Sequence, residues 1–357
     1  MKHEPANPRV TIAGRSIGSG EPPYIVAEMS GNHNHDLGRA LSIVDAARAA
    51  GADAIKLQTY RADTITIDHH GDEFIVKGGL WNGRRLFELY QEAHTPWEWH
   101  GPIFEHARRI GITVFSSPFD HTAVDFLEEL GAPAYKIASP EIIDLPLIRK
   151  VSGTGKPIVM STGAATLEEI EEAIQAARDG GATELVVLHC TAAYPAPPEE
   201  ANLATLKTLA ERFNVAVGLS DHTLGTTVAT LAVGLGASFI EKHFTLARAD
   251  GGVDSAFSLE PQELAELVTA TRIAQVAVGR STFGTTASEA SVLRNRRSLY
   301  VVKPIAKGGV LTLDNIRSIR PANGLLPKHL DAVLGRRAAR DLAFGEPLGF
   351  DMIEGYA

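Results

Sequence analysis

Short apolar runs rich in Val, Ile and Leu alternate along this chain with longer stretches in which apolar residues return every three or four positions. The first texture is that of buried strands and the second that of amphipathic helices. Eight short runs occur: YIVAEMS at 24–30, AIKLQTY at 54–60, TVFSSPF at 113–119, AYKIAS at 134–139, PIVMSTG at 157–163, LVVLHC at 185–190, AVGLSDH at 216–222 and FIEKHFT at 239–245. Between them lie segments such as LGRALSIVDAARAAGAD, TLEEIEEAIQAARDGGAT and PQELAELVTATRIAQVAVG. These place apolar residues at i, i+3, i+4 and i+7 with Gly near the carboxyl end, the spacing and stop signal of a surface helix. Eight alternations within about residues 20–285 predict an α/β fold closed into a (β/α)8 TIM barrel. An open doubly wound sheet is disfavoured, because no Gly-rich dinucleotide fingerprint follows the first run.

From about Arg296 the texture changes to short strands, frequent Gly and two turn-like repeats, KGGVLT and FGEPLG. The expected organisation is a catalytic barrel over 1–285, a polar Ser/Thr-rich linker over 286–296 and a small domain over 297–357. An irregular insertion at about 61–95 lengthens the loop after the second strand.

Composition narrows the function. With 357 residues, 44% hydrophobic and 22% charged, the chain reads as globular with a sizeable core. A net charge of -9 argues against a nucleic-acid or anionic-membrane surface, although it permits a local basic pocket. No apolar run approaches the ~18 residues of a membrane span, and the opening MKHEPANPRV lacks the apolar stretch of a signal peptide. The cytoplasm is therefore the expected compartment. The single cysteine, Cys190, ends an apolar run and is read as a buried small hydrophobe, without a catalytic role.

In a TIM barrel the chemistry sits where strands end, and here most strands end in polar residues. Residues two apart share a face, which groups Lys56 with Gln58, Ser220 with His222, and Glu241 with His243, and turns Asp221 and Lys242 toward the helices. Charges inside a mostly apolar barrel are costly unless paired or bound to something charged, so Lys56 and Lys136 near one mouth point to an anion. With Ser117, Ser139, Ser161 and Ser220 they form a cradle for carboxylate and phosphate oxygens. Glu28 and Glu141 are general acid or base candidates, the alternative being simple pairing with a lysine. His222 and His243 end neighbouring strands at matching positions, where their exposed imidazoles converge on one exchangeable divalent ion, Mn2+ or Mg2+ rather than structural zinc. The bland alternative is two structural histidines bonded to loop carbonyls. His33, in the NHNH run, is read as a bystander; His69, His70 and His189 as structural or solvent-facing; and TPWEWH as a helix start that packs by its two tryptophans.

The segments AEMSGNHN, KLQTY, SSPFD, YKIAS followed by Glu141, MSTG, CTAAYP, GLSDHT and EKHFT lie in this order on the predicted strand ends. In content and order the chain resembles the sialic acid synthase family over nearly its whole length. Its tail, with IRPANG and Arg320, resembles the antifreeze-like (SAF) domain that closes such synthases. Within the family, Leu80-Trp81, LYQEAHTPWEWH, SSPFDHTAVDFL and RRSLYVVK are more similar to the branch that makes pseudaminic acid than to the one that makes N-acetylneuraminate.

The resemblance implies a homodimeric enzyme that condenses phosphoenolpyruvate with 2,4-diacetamido-2,4,6-trideoxy-L-altropyranose and water, giving pseudaminic acid and phosphate. It implies that His222 and His243 bind a divalent metal, with Co2+ as a further candidate. Lys56, Ser117, Lys136, Ser139, Ser161 and Ser220 would hold phosphoenolpyruvate, with Glu28 and Glu141 as active-site acids. Asn82, Tyr194 and Asp254 would contact the sugar, and Arg320 would reach into the partner subunit's site. Ala192 departs from the family, which places Asn at that point of CTxxYP, so one phosphoenolpyruvate contact does not carry over. N-acetylneuraminate or legionaminate synthesis is the alternative of the same chemistry. A non-catalytic carbohydrate-binding protein and a metal aldolase acting on pyruvate are the alternatives of another class.

Overall fold

The computed structural model describes residues 8–356. The chain divides into two compact units, one up to Gly279 and one from Arg280. The first unit begins with an antiparallel hairpin, β1 (Val10–Ile12) and β2 (Arg15–Ile17). Eight parallel strands then close into a barrel: β3 (Tyr24–Glu28), β4 (Ala54–Thr59), β5 (Thr113–Pro118), β6 (Tyr135–Ile137), β7 (Ile158–Ser161), β8 (Leu185–Cys190), β9 (Ala216–Asp221) and β10 (Phe239–His243), with β10 pairing back onto β3. All eight fall on the runs expected to be strands. The hairpin was not anticipated: its turn is Ala13-Gly14, both at positive φ, a weaker signal than the Asn-Gly of most two-residue turns.

Each strand is followed by at least one helix. Helix Leu167–Asp179 starts where the Thr166 side chain accepts from Glu169 N and the Glu169 carboxylate accepts from Thr166 N, so two orphan donors are satisfied reciprocally. The insertion at 61–95 carries the short helices Ala62–Ile65 and Leu86–Ala93. The outward residues of the strands pack against the surrounding helices in one continuous apolar layer.

Inside the barrel the side chains are stratified. Val10, Ile12 and Ile17 of the hairpin pack with Tyr24, Phe115, Phe239 and other inward residues, which seals the amino-terminal end with an apolar floor. The next inward positions along the same strands are Glu28, Lys56, Ser117, Ser220 and Glu241, all buried. Period-2 alternation thus carries an apolar layer at one end and a polar one at the other. Gly218 lies between these layers. A Cβ there would come 2.3 Å from the Phe239 carbonyl oxygen and 2.6 Å from Leu188 Cδ2, so only glycine fits this approach of β9 to its neighbours. On the outer face Lys242 donates to Asp221 at 3.0 Å, which bears out the expected orientation of that pair and satisfies both buried charges.

The second unit has its own core of Leu299, Val301, Ile316, Val333, Leu342, Leu348 and neighbours. Antiparallel β11 (Ser298–Val301) and β12 (Ile316–Ile319) form its sheet. Isolated bridges such as Ile305↔Leu342 and Tyr300↔Pro347 tie in the segments around the two turn-like repeats. Helix Ala290–Arg294, within the stretch read as linker, joins this unit through Ala322 N donating to Arg294 O at 3.1 Å. No helix among the described residues is long and apolar enough to cross a membrane.

Gly218→Ala is expected to destabilise the fold by about 1–3 kcal/mol, because the obstructing carbonyl belongs to a barrel strand that cannot yield freely. The shift in urea midpoint at unchanged m-value measures this.

Candidate active site at the barrel mouth

The polar layer is organised around two buried ion pairs. Lys56 on β4 is paired with Glu28, which stands opposite it on β3, and lies 3.8 Å from Glu241 on β10. Lys136 on β6 donates to Glu241 Oε1 at 3.1 Å. Glu28, Lys136, Lys56 and Glu241 are 0%, 2%, 3% and 4% exposed. Two ammonium groups and two carboxylates thus balance one another where isolated charges would be prohibitive.

Their protonation follows from this arrangement. Burial pushes Glu28 up to about 7 against the pull of Lys56. Burial would also raise Glu241, but the Lys136 and Lys56 ammonium groups hold it below the usual carboxylate range. Burial lowers Lys136, whereas for Lys56 the same penalty is outweighed by Glu241 and Glu28, and its pKa rises.

The serines read as a cradle surround these charges. Lys56 Nζ donates to Ser117 Oγ at 3.3 Å, and Ser220 Oγ donates to Glu241 Oε1 at 3.2 Å. Ser139 Oγ accepts from Gly163 N at 3.0 Å, which leaves its own proton free to donate. Ser161 Oγ is buried without a hydrogen-bond partner among the described residues. Glu241 Oε2 also lacks a hydrogen-bond partner among the described residues, whereas Glu28 Oε2 is held by the Lys56 ammonium.

His222 and His243 stand beside the cluster with ring centroids 5.4 Å apart. Both are buried, at 5% and 8% exposure, which corrects the expectation of exposed strand-end imidazoles: the Tyr194 ring lies over His222 at 4.2 Å between centroids. Burial lowers His222 to about 4 and His243 well below its ordinary value, so both rings are neutral. His222 Nδ1 lies 2.9 Å from the Thr191 carbonyl oxygen, an acceptor only, so Nδ1 carries the proton and the Nε2 lone pair is free. His243 Nδ1 is buried without a hydrogen-bond partner, 3.8 Å from Asp254 Oδ2. The two neutral imidazoles offer unused nitrogens to a metal ion, while no group of three His, Cys, Asp or Glu among the described residues is placed to hold one.

Above this hollow opens a cavity of about 530 Å³, lined by Ser30, Gln58, Glu141, Tyr194, His243 and Asp254 together with residues of the 61–95 insertion. Glu141, in the short turn Pro140–Ile143, keeps Oε2 buried and unpartnered, and burial raises it to about 7. Burial likewise raises Asp254 to about 6, although Ser30 Oγ donates to it.

Other expected residues lie elsewhere. Asn82 is exposed and accepts from Gly78 N at 2.7 Å within its own turn, while its neighbour Trp81 lines the cavity. Arg320 is exposed in the second unit. His33 is buried against Thr95 and His189 is bonded to the Ala201 carbonyl at 2.7 Å, which bears out their structural reading. Trp97 stacks on Phe126 at 4.5 Å and Cys190 is buried and unpaired, also as expected. Glu241 was left without a role, yet it is the residue that both lysines share. Its signal was available: alternation turned it inward two positions before His243.

This cluster of buried, mutually paired charges lies at the carboxyl ends of the strands, which is where barrel enzymes work. The NeuB family model matches residues 43–282, and the SAF domain model matches residues 296–354. The chain belongs to the NeuB family. It is 44% identical to the pseudaminic acid synthase of Helicobacter pylori over 94% of this chain and 98% of that one. It is 38% identical to the N,N'-diacetyllegionaminic acid synthase of Campylobacter jejuni over 89% and 96%. The crystal structure of the N-acetylneuraminic acid (sialic acid) synthetase from Leptospira borgpetersenii superposes with a TM-score of 0.73 at 31% identity, covering 82% of this chain and 97% of that one.

Glu241→Gln is expected to cost about 3 kcal/mol or more, since it removes the anionic partner of Lys136 and leaves that ammonium buried and unbalanced. Chemical denaturation of the purified variant reads the loss.

Proposed function

We propose that this chain is a pseudaminic acid synthase, joining phosphoenolpyruvate to 2,4-diacetamido-2,4,6-trideoxy-L-altropyranose with release of phosphate. The observation that carries the reading is the single hollow in which two ammonium groups, buried carboxylates and two neutral imidazoles face one another. The closer likeness to a relative named for pseudaminic acid than to one named for legionaminic acid supports this choice of sugar.

On this reading Lys56 and Lys136 hold the carboxylate and phosphate of phosphoenolpyruvate, giving up part of their contact with Glu241. Ser117, Ser139, Ser161 and Ser220 donate to the remaining oxygens. His222 and His243 would hold a divalent ion, Mn2+ or Mg2+ with Co2+ as a further candidate, which when bound supplies Lewis-acid polarisation of an aldehyde oxygen. Tyr194 and Asp254, which line the cavity, position the sugar, and in a homodimer the partner subunit's Arg320 completes that contact.

Carbon 3 of phosphoenolpyruvate attacks the aldehyde carbon, whose oxygen takes up a proton. Water then adds to the electron-deficient carbon 2. Glu141 removes the proton of that water: it lines the cavity and is in no ion pair among the described residues, whereas Glu28 is tied to Lys56. Finally the C–O bond to phosphate breaks, and the lysines stabilise the charge that leaves.

Three measurements test this. In 18O-labelled water the released phosphate is expected to stay unlabelled, and label in phosphate would mean P–O cleavage instead. Prolonged chelation should abolish phosphate release, and activity surviving in metal-free buffer would remove the role given to His222 and His243. A carboxyl poised near 7 is protonated below that pH and ionised above it. If Glu141 is the base, kcat rises as pH increases through about 7, and Glu141→Gln removes this limb with a loss of roughly 10²–10⁴-fold.

A further inference from the structure

The cavity over the charged hollow has two chemically different walls. Ser30, Gln58, Glu141, His243 and Asp254 come from barrel strand ends and the loops that follow them, and each offers polar atoms. The 61–95 insertion contributes Ile65, Val76, Leu86 and Leu89, an aliphatic patch whose side chains offer none, together with Tyr90, whose phenol does. Trp81 belongs to this second wall, and its indole N–H is already engaged with the Val253 carbonyl at 3.0 Å. Ile65, Val76 and Leu86 are only half-buried, unlike fully covered core residues such as Ile43 and Leu57.

We propose that this aliphatic wall is the receptor for the terminal methyl carbon of a 6-deoxy sugar, so that the 61–95 insertion decides which sugar the barrel accepts. The proposal rests on the synthase reading above and deepens it.

The argument is one of matching what each end of the sugar requires. The aldehyde carbon must reach the hollow, because His222, His243 and the lysines lie there. The acetamido and hydroxyl groups along the chain carry donors and acceptors that need partners once desolvated, and the polar wall supplies them. The carbon farthest from the aldehyde is the one part of a 6-deoxy sugar that needs no hydrogen bond. It therefore lies best against the aliphatic patch of Ile65, Val76 and Leu86. A hydroxymethyl group seated on that patch would lose its water and find no partner in Ile65, Val76 or Leu86, a penalty that disfavours the hydroxylated analogue.

The wall is also held in place before any ligand arrives. Val76 N donates to the Arg84 carbonyl at 2.9 Å and Gly83 N to the Val76 carbonyl at 2.8 Å, closing the turn that carries Trp81. Arg85 pairs with Asp68 at 2.7 Å and with Glu88 at 2.6 Å, which fixes the following helix to the preceding loop. The bond from Trp81 to Val253 fastens this assembly to the loop that carries Asp254. Aliphatic side chains on such a frame discriminate by desolvation and shape, with little adjustment on binding.

The test compares phosphate release with two acetamido sugars of identical stereochemistry, one with a methyl and one with a hydroxymethyl group at carbon 6. Wild type is expected to favour the methyl sugar by roughly 10–100-fold in kcat/KM, the range an apolar pocket achieves against an added hydroxyl. Val76→Thr keeps the shape of the side chain and adds a hydroxyl, and Ile65→Thr does much the same one element away. Each should narrow the preference several-fold while the KM for phosphoenolpyruvate stays within about twofold, since neither touches the charged hollow. A wild-type preference near unity overturns the proposal, as does a preference that both variants leave unchanged. Failure of the synthase reading has a different signature: no phosphate is released with either sugar or with any other acetamido aldehyde, and both proposals then fall together.

Discussion

Two lysines are held inside a protein at the end of a barrel whose other end is packed with Tyr24, Phe115 and Phe239. Glu28 and Glu241 are what make this possible, because an ammonium group without a partner would not remain charged in such surroundings. The placement of the four groups is set by backbone register. Glu28 stands opposite Lys56 across β3 and β4, and Glu241 stands opposite Ser220 across β10 and β9. A slip of one residue in any of these strands would turn its charge into the helical layer and its apolar neighbours into the hollow. The sealed floor, with its hairpin and its glycine contact at Gly218, is what holds that register against the strain of burying charge.

The fold was legible because its signals are local and repeated. Eight apolar runs, each followed by a stretch of helical period, leave little choice of architecture, and alternation alone separated Lys56, Ser220 and His243 from Asp221 and Lys242. What escaped lacked a local signal or depended on distance along the chain. The hairpin at Val10–Ile17 has strands of three residues and an Ala-Gly turn, too little pattern to count. The burial of His222 depends on Tyr194, which arrives from the loop after another strand. Glu241 was visible as an inward residue, but its sharing between two lysines comes from strands more than a hundred positions apart in sequence.

The 61–95 insertion is the clearest case of the limit. Its residues follow neither period, so the sequence identifies it as irregular and says nothing of which face meets the cavity. Only the closed turn at Val76 and Arg84 and the anchor from Trp81 to Val253 give Ile65, Val76 and Leu86 a common direction. The Leu80-Trp81 pair, a mark of the resemblance, thereby acquires a physical role: the indole joins the insertion to the loop that bears Asp254.

This division between barrel and insertion has a mechanistic consequence. Chemistry that builds negative charge needs groups fixed on strands, as Lys56 and Lys136 are. Sugar identity needs a surface that can change without disturbing them, and loops outside the ladder provide one. Asp254 belongs to both halves, since it lies 3.8 Å from His243 and is carried on the loop that Trp81 grips.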